Sequence, residues 1–257
     1  MGLSGNLVPE LIELRLTGVM AGMSRVVEIG AQQLSNQLLR SDKALTDLFD
    51  LFGVEMPYLG AVKDAGFAGG QELQAQDAPP SQPFWEALGF EYATVDFDGH
   101  RHSRALDLNK DGVPPEWRGQ FDLAINAGTT EHVANHDNAF RVIHDLVRPG
   151  GIMIHEVPAA GMLTHGMVNY TMKFFWHLCR ENNYQVLSME MAPGGTAPLP
   201  NDIVATNRRF GRNRSSAALE KEQIRDWYIF ASLRKTADTA FVTPLDLPPE
   251  VMPKRSG

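Results

Sequence analysis

Along this chain of 257 residues, the groups able to hold a ligand or move a proton fall in a few short strings. In order they are Glu28-Ile29-Gly30-Ala31-Gln32, Asp96 and Asp98, Asp107-Leu108-Asn109, Asn126-Ala127-Gly128, Glu131-His132, Glu156, and His165 with Asn169 and Tyr170. A glycine at a strand end lets backbone approach a ligand closely and turn into the next element. A carboxylate at the tip of a second strand can accept both hydroxyl protons of a ribose diol, and one after a third strand can accept from an exocyclic adenine amino group. His165 lies between Gly161 and an aromatic helix signal, where an imidazole suits proton acceptance or orientation of a substrate. His132 and His136 are four apart with Glu131 and Asp137 beside them, and can be imagined as metal ligands. They make no H-E-x-x-H pattern, and carboxylate–imidazole groupings arise often by chance, so no metal is expected. His100 and His102 fall in the turn DFDGHRH. Arg208, Arg209, Arg212 and Arg214 read as a solvated loop; the alternative is a clamp for an anionic substrate, because guanidinium binds phosphate bidentately.

The elements that must position these groups alternate between two periods. Leu7, Leu11 and Leu14 predict a short amphipathic helix in an N-terminal segment, residues 1–24. RVVEIGA predicts a strand ending at Gly30. Leu38, Leu45, Leu48 and Phe52 predict a helix over 37–54, stopped by Gly53. Residues 57–83 crowd Pro57, Pro79, Pro80 and Pro83 with several glycines and read as a lid within an insertion over 37–89. Beyond residue 90, EYATVDF, HSRALDL, FDLAIN, GIMIHEV, YQVLSME and DWYIFASL predict strands. DNAFRVIHDLV, closed by PGG at 149–151, and MVNYTMKFFWHLCR, with Val168, Met172, Phe175 and Cys179 on one stripe, predict helices. Such alternation means an α/β fold: a doubly wound, mainly parallel seven-stranded sheet. The last two strands make an antiparallel pair joined by an excursion over 191–226, and residues 1–257 are expected to form one domain.

The strings VVEIGAQ, VDFD, ALDLN, FDLAINAGTTEHV and RVIHDLVRPGGIMIHEVP resemble a class I S-adenosylmethionine-dependent methyltransferase of Rossmann-like fold. Phe121-Asp122-Leu123, Glu131-His132-Val133 and Leu146-Val147-Arg148-Pro149-Gly150-Gly151 carry the most specific part, within a likeness over 25–190. The resemblance implies S-adenosylmethionine as cofactor. Glu28, Gly30 and Gln32 would border its methionine part, and Asp96, or Asp98 two residues on, would hold the ribose hydroxyls. Asp107 and Leu108 would flank adenine, and Asn126, Ala127 and Gly128 would lie beneath the transferring methyl. It also implies a substrate side built from Glu131, His132, Asn169 and Tyr170, with His165 as the catalytic group. The family's glycine-rich E/D-x-G-x-G-x-G is reduced here to EIGAQ, resembling the Gly-Ser-Gln-type turn of some members. Asp96 follows Gly30 by far more than the roughly 20 residues usual between glycine turn and acid, which the insertion explains.

Composition narrows the class. Lys plus Arg is 23 against 31 Asp plus Glu, a formal charge of −8, which argues against a nucleic-acid binder because that task needs a concentrated basic face. One cysteine, Cys179, cannot form an internal disulfide and suits a reducing compartment. The first residues lack a basic stretch followed by an apolar core, and no apolar run nears the ~20 residues that cross a bilayer. Together with what the resemblance implies, these features predict a cytoplasmic enzyme acting on a small molecule, off the membrane, with a homo-oligomer compatible. The predicted reaction is O- or N-methylation. The competing reading is a non-catalytic methyltransferase-like binding protein with a degenerate cofactor site. A nicotinamide dehydrogenase would need G-x-G-x-x-G, which GAQQLS does not supply.

Overall fold

The computed structural model describes residues 2–60, 67–68, 71–72, 78–99, 103–163, 165–198 and 223–246. Strand β1 (Gly2–Leu3) leads to helix α1 (Leu7–Leu16), strand β2 (Arg25–Ile29), strand β3 (Gln33–Leu34), and helices α2 (Asn36–Leu39) and α3 (Asp42–Phe52). A small hairpin, β4 (Phe67–Ala68) and β5 (Gln71–Glu72), precedes helix α4 (Gln82–Ala87) and strands β6 (Glu91–Asp96) and β7 (Arg104–Ala105). Then come β8 (Phe121–Ala127), α5 (His136–Leu146), β9 (Val147–Ala160), α6 (Met172–Asn182), β10 (Gln185–Pro198) and β11 (Gln223–Arg234).

Seven strands form one sheet in the order β7-β6-β2-β8-β9-β11-β10. β2, β6, β7, β8 and β9 are parallel, and β11 runs antiparallel to both β9 and β10. The expected doubly wound sheet with an antiparallel last strand is therefore present. β8 is buried at every residue, as a central parallel strand covered on both faces must be. Side chains of alternate parity feed two cores. Val27, Ile29, Val95 and Met153 pack against α5 and α6, whereas Val26, Leu123, Ile125 and Ile154 pack against α1, α3 and α4. Asp122 staples the N-terminal ends of the central strands: it accepts from the N–H groups of Ser24 and Arg25, both at 2.8 Å, and pairs with Arg148.

Several expected boundaries shift, each for an identifiable reason. The helix over 37–54 is two helices. Ser35 caps α2 by accepting from the Leu38 N–H at 3.1 Å, and the Ser41 hydroxyl donates to the Gln37 carbonyl at 2.9 Å, closing that turn before α3 begins. α5 stops at Leu146, ahead of PGG, which belongs to β9. Lys235 Nζ donates to the carbonyls of His144 and Val147 at 2.8 and 2.9 Å, satisfying acceptors that a helix end leaves unpaired. α6 begins at Met172, so Val168 lies outside its stripe. The Tyr170 N–H is held by the Pro158 carbonyl at 2.7 Å, and Thr171 caps the helix. The strand expected in HSRALDL is only the two residues of β7. Much of the expected 57–83 lid and of the 191–226 excursion lies outside the described residues, as do His100, His102 and the Arg208–Arg214 cluster.

His155, on β9, is 1% exposed between Phe140 and Phe175. Burial pushes its imidazole down to about 3. The unfolded chain takes up this proton near the ordinary value of about 6.5, and the folded chain only near 3. The resulting stability is complete above pH 6.5 and lost as pH falls from 6.5 toward 3, by up to about 1.4 kcal/mol per unit. Urea midpoints measured from pH 7.5 to 4.5 should fall, and His155→Phe should reduce that slope. An unchanged slope would assign the loss to other histidines.

Candidate functional site

The C-terminal ends of β2, β6 and β8 converge on a cavity of about 350 Å³. Gly30 makes the turn after β2 with φ of +82°, a region open to glycine at no steric cost. Its N–H donates to the Val95 carbonyl at 2.8 Å. A Cβ at Gly30 would stand 2.5 Å from Thr129 Oγ1, so the turn and the residues after β8 are in direct contact. Asp96 stands at the tip of β6, where one oxygen accepts from the Ala31 N–H at 2.8 Å and the other from the Phe97 N–H at 2.7 Å. An ionised carboxylate offers about four lone-pair sites, so two remain for a diol. Farther along the wall, the N–H of Asn109 and the neighbouring Lys110 hold Asp107 below its ordinary value, and Leu108 supplies an apolar surface. The Gln32 amide donates to the Ile29 carbonyl and Thr129 Oγ1 at 3.1 and 3.2 Å. Its buried Oε1 has no donor among the described residues.

Gly30, Gln32, Asp96, Asp107, Leu108, Gly128 and His132 therefore line one cavity. The other expected residues stand elsewhere. Glu28 is fully buried on the opposite side of the turn, accepting from Trp85, Ser81 and Tyr92, each at 2.7 Å, and from the Gln32 N–H at 3.1 Å. Burial pushes its carboxyl up, against the pull of these donors. It can reach a ligand only through the Gln32 turn that it holds. Asp98 is exposed beyond the strand tip and does not line the cavity. Asn126 is committed inside β8: it donates to Thr130 Oγ1 at 2.9 Å and accepts from the Thr130 N–H at 3.3 Å. Ala127 is buried beside it.

A single 3-10 turn, Thr130–His132, turns Glu131 inward and leaves His132 half-exposed at the cavity wall. His165, on the loop after β9, brings Nε2 to 3.5 Å from Glu131 Oε1. The His132 and His165 rings lie 5.0 Å apart edge to face. Burial lowers the His132 imidazole, and Glu131 opposes that shift. Asn169 pins the same loop by donating to the Gly161 carbonyl at 3.0 Å, whereas Tyr170 is buried with its hydroxyl 2.8 Å from His136 Nδ1. Neither lines the cavity. His136 thus pairs with Tyr170, and His165 is the imidazole that joins Glu131 and His132. The sequence reading left out Thr129 and Phe97, which also line the cavity. An exposed aromatic immediately after the strand-tip acid was the available signal for Phe97.

Residues 64–192 match the family described as methyltransferase domain. A relative from Ruegeria pomeroyi, the ubiquinone biosynthesis O-methyltransferase, is 30% identical over 113 residues; the match spans 40% of this chain and 43% of that protein's length. Among solved structures, the chain is similar to an S-adenosylmethionine-dependent methyltransferase from Mesorhizobium loti, with TM-score 0.43 and 12% identity over 88% of this chain and 96% of that one. It is also similar to the 1,6-didemethyltoxoflavin-N1-methyltransferase of Burkholderia thailandensis, solved with 1,6-didemethyltoxoflavin and S-adenosylhomocysteine, with TM-score 0.40 and 13% identity over 88% and 79%.

Proposed function

Because this chain belongs to the methyltransferase-domain family, we propose that it is an S-adenosylmethionine-dependent methyltransferase acting on a small-molecule acceptor. The observation that carries the reading is the cavity at the tips of β2, β6 and β8, where the Gly30 turn, Asp96 and the Asp107-Leu108 wall meet. The residues suit the group. The Asp96 carboxylate suits a ribose diol, Asp107 and Leu108 suit the polar edge and flat face of adenine, and the unpaired Gln32 Oε1 is an acceptor for the methionine ammonium. When bound, S-adenosylmethionine supplies a methyl group on a sulfonium, a good leaving group.

What remains for the protein is alignment and exclusion of water. Gly30, Gln32 and Gly128 hold the methionine end, and the exposed Phe97 ring flanks the adenosine side. The acceptor stands toward His132 and His165. There the imidazole of His165, beside His132, would take the acceptor's proton or orient its oxygen, leaving a lone pair to face the methyl group. An oxygen acceptor accords with the name of the Ruegeria relative.

Calorimetric titration with S-adenosylhomocysteine tests this reading. The unmodified protein should bind it, and Asp96→Ala should weaken binding by about 1.5–3 kcal/mol, the range for hydrogen bonds to a charged group, or roughly 10- to 150-fold. An unaffected Asp96→Ala beside an impaired Asp98→Ala would move the diol to Asp98. Absence of binding by the unmodified protein would leave a methyltransferase fold serving as a binding module.

A further inference from the structure

Glu131 is fully buried, and neither of its carboxylate oxygens has a hydrogen-bond donor among the described residues. Charged groups are buried this way only when a cation or strong donors compensate them. Two imidazoles face it from different segments: His165 Nε2 at 3.5 Å and His132 Nε2 at 3.9 Å from Oε1. One ligand atom from each of the three residues lies within 4.8 Å of the other two. Around a metal with bonds of about 2.1 Å, neighbouring ligand atoms stand about 3.0–3.4 Å apart. Small side-chain rotations therefore bring the three onto one ion.

The loop that delivers His165 is built onto the carboxylate. A Cβ at Gly166 would stand 2.7 Å from Glu131 Cγ and 3.1 Å from its Cβ, so glycine permits the approach. The Met167 N–H donates to the Glu131 carbonyl at 2.9 Å, clamping the loop on the far side of that glycine. His132 faces the cavity from the same turn as Glu131.

We propose that Glu131, His132 and His165 form a site for a divalent first-row transition ion at the acceptor end of the cavity. Two imidazoles and one carboxylate suit zinc, cobalt, iron or manganese better than calcium or magnesium, which favour all-oxygen shells. Three protein ligands leave coordination positions open, as in catalytic sites. Resting on the methyl-transfer reading, with His165 then orienting the acceptor through the ion and taking no proton itself, those positions take the acceptor's oxygen. Its O–H proton leaves to water, and the oxygen stays on the ion with a lone pair directed at the methyl carbon. The acceptor class this selects is a phenol or enol, with an adjacent oxygen as second donor.

The test is titration of chelator-treated, full-length protein with Co²⁺, read by its visible absorption and by calorimetry, with Zn²⁺ as competitor. One Co²⁺ should bind per chain and be displaced by Zn²⁺. His132→Ala and His165→Ala should each weaken binding by at least about tenfold; His132 is half-exposed, so its replacement keeps the fold even if Glu131→Gln does not. No saturable binding, or binding unchanged in both histidine variants, would overturn the site and leave Glu131 and the two imidazoles as a buried structural cluster. S-adenosylhomocysteine affinity measured on the same samples reports separately on the methyl-transfer reading.

Discussion

Gly30→Ala is expected to weaken S-adenosylhomocysteine binding by roughly 30- to 150-fold while far-UV circular dichroism stays unchanged. Gly30 holds φ at +82°, and a left-handed conformation costs a residue with a Cβ about 1–2 kcal/mol. The new methyl would also meet Thr129 Oγ1 at 2.5 Å, and that hydroxyl donates to the Ile29 carbonyl. Losing such a bond costs about 1 kcal/mol. The combined penalty of about 2–3 kcal/mol corresponds to the stated range, and it falls on the binding surface because Gly30, Gln32 and Thr129 all line the cavity. The strand pairs beneath are untouched, since β2 and β6 keep their register through Ile29 and Val95. Binding within threefold of the unmodified protein would show that the ligand does not rest on this turn.

Glu28→Ala should produce the largest loss of stability, about 3–5 kcal/mol. The substitution strands the Trp85 indole N–H, the Ser81 and Tyr92 hydroxyls and the Gln32 N–H around an emptied, buried position. For a chain of this size each kcal/mol shifts Tm by about 2–4 °C, so a fall of roughly 6–20 °C is expected by calorimetry. Glu28→Gln should fall between the two proteins. Its carbonyl can keep the donors now on Oε2, but its amino group then opposes the Trp85 N–H. Equal stability of Glu28→Ala and the unmodified protein would mean that water replaces the carboxylate, and Glu28 would then be no keystone of the turn.

The sheet was readable because its signals are local. Apolar alternation marks β2, β6 and β8, and the residues at their tips follow directly, so the sequence alone places Gly30, Asp96 and Gly128 at one end of the sheet. What the sequence hid depends on partners far away along the chain. Glu28 reads as a ligand-facing acid until Ser81, Trp85 and Tyr92, 53 to 64 residues later, claim both its oxygens. His136 reads as the partner of His132 because four residues separate them. Yet α5 turns it toward Tyr170, and the loop after β9 supplies His165 instead. Helix ends were misjudged for the same reason: Lys235, 91 residues from His144, decides where α5 stops.

The position of β11 governs how the sheet can be assembled during synthesis. It is the last of the seven strands to leave the ribosome, yet it lies between β9 and β10, pairing with both. Until it arrives, β9 carries one unpaired edge along Ile152, Met153, Ile154 and Val157, all buried in the finished protein. An unpaired apolar edge is a template for pairing with another chain. The nascent protein therefore passes through an interval in which the parallel half of the sheet can form while its neighbour strand is missing, and the danger of misassociation is concentrated there rather than in the native state.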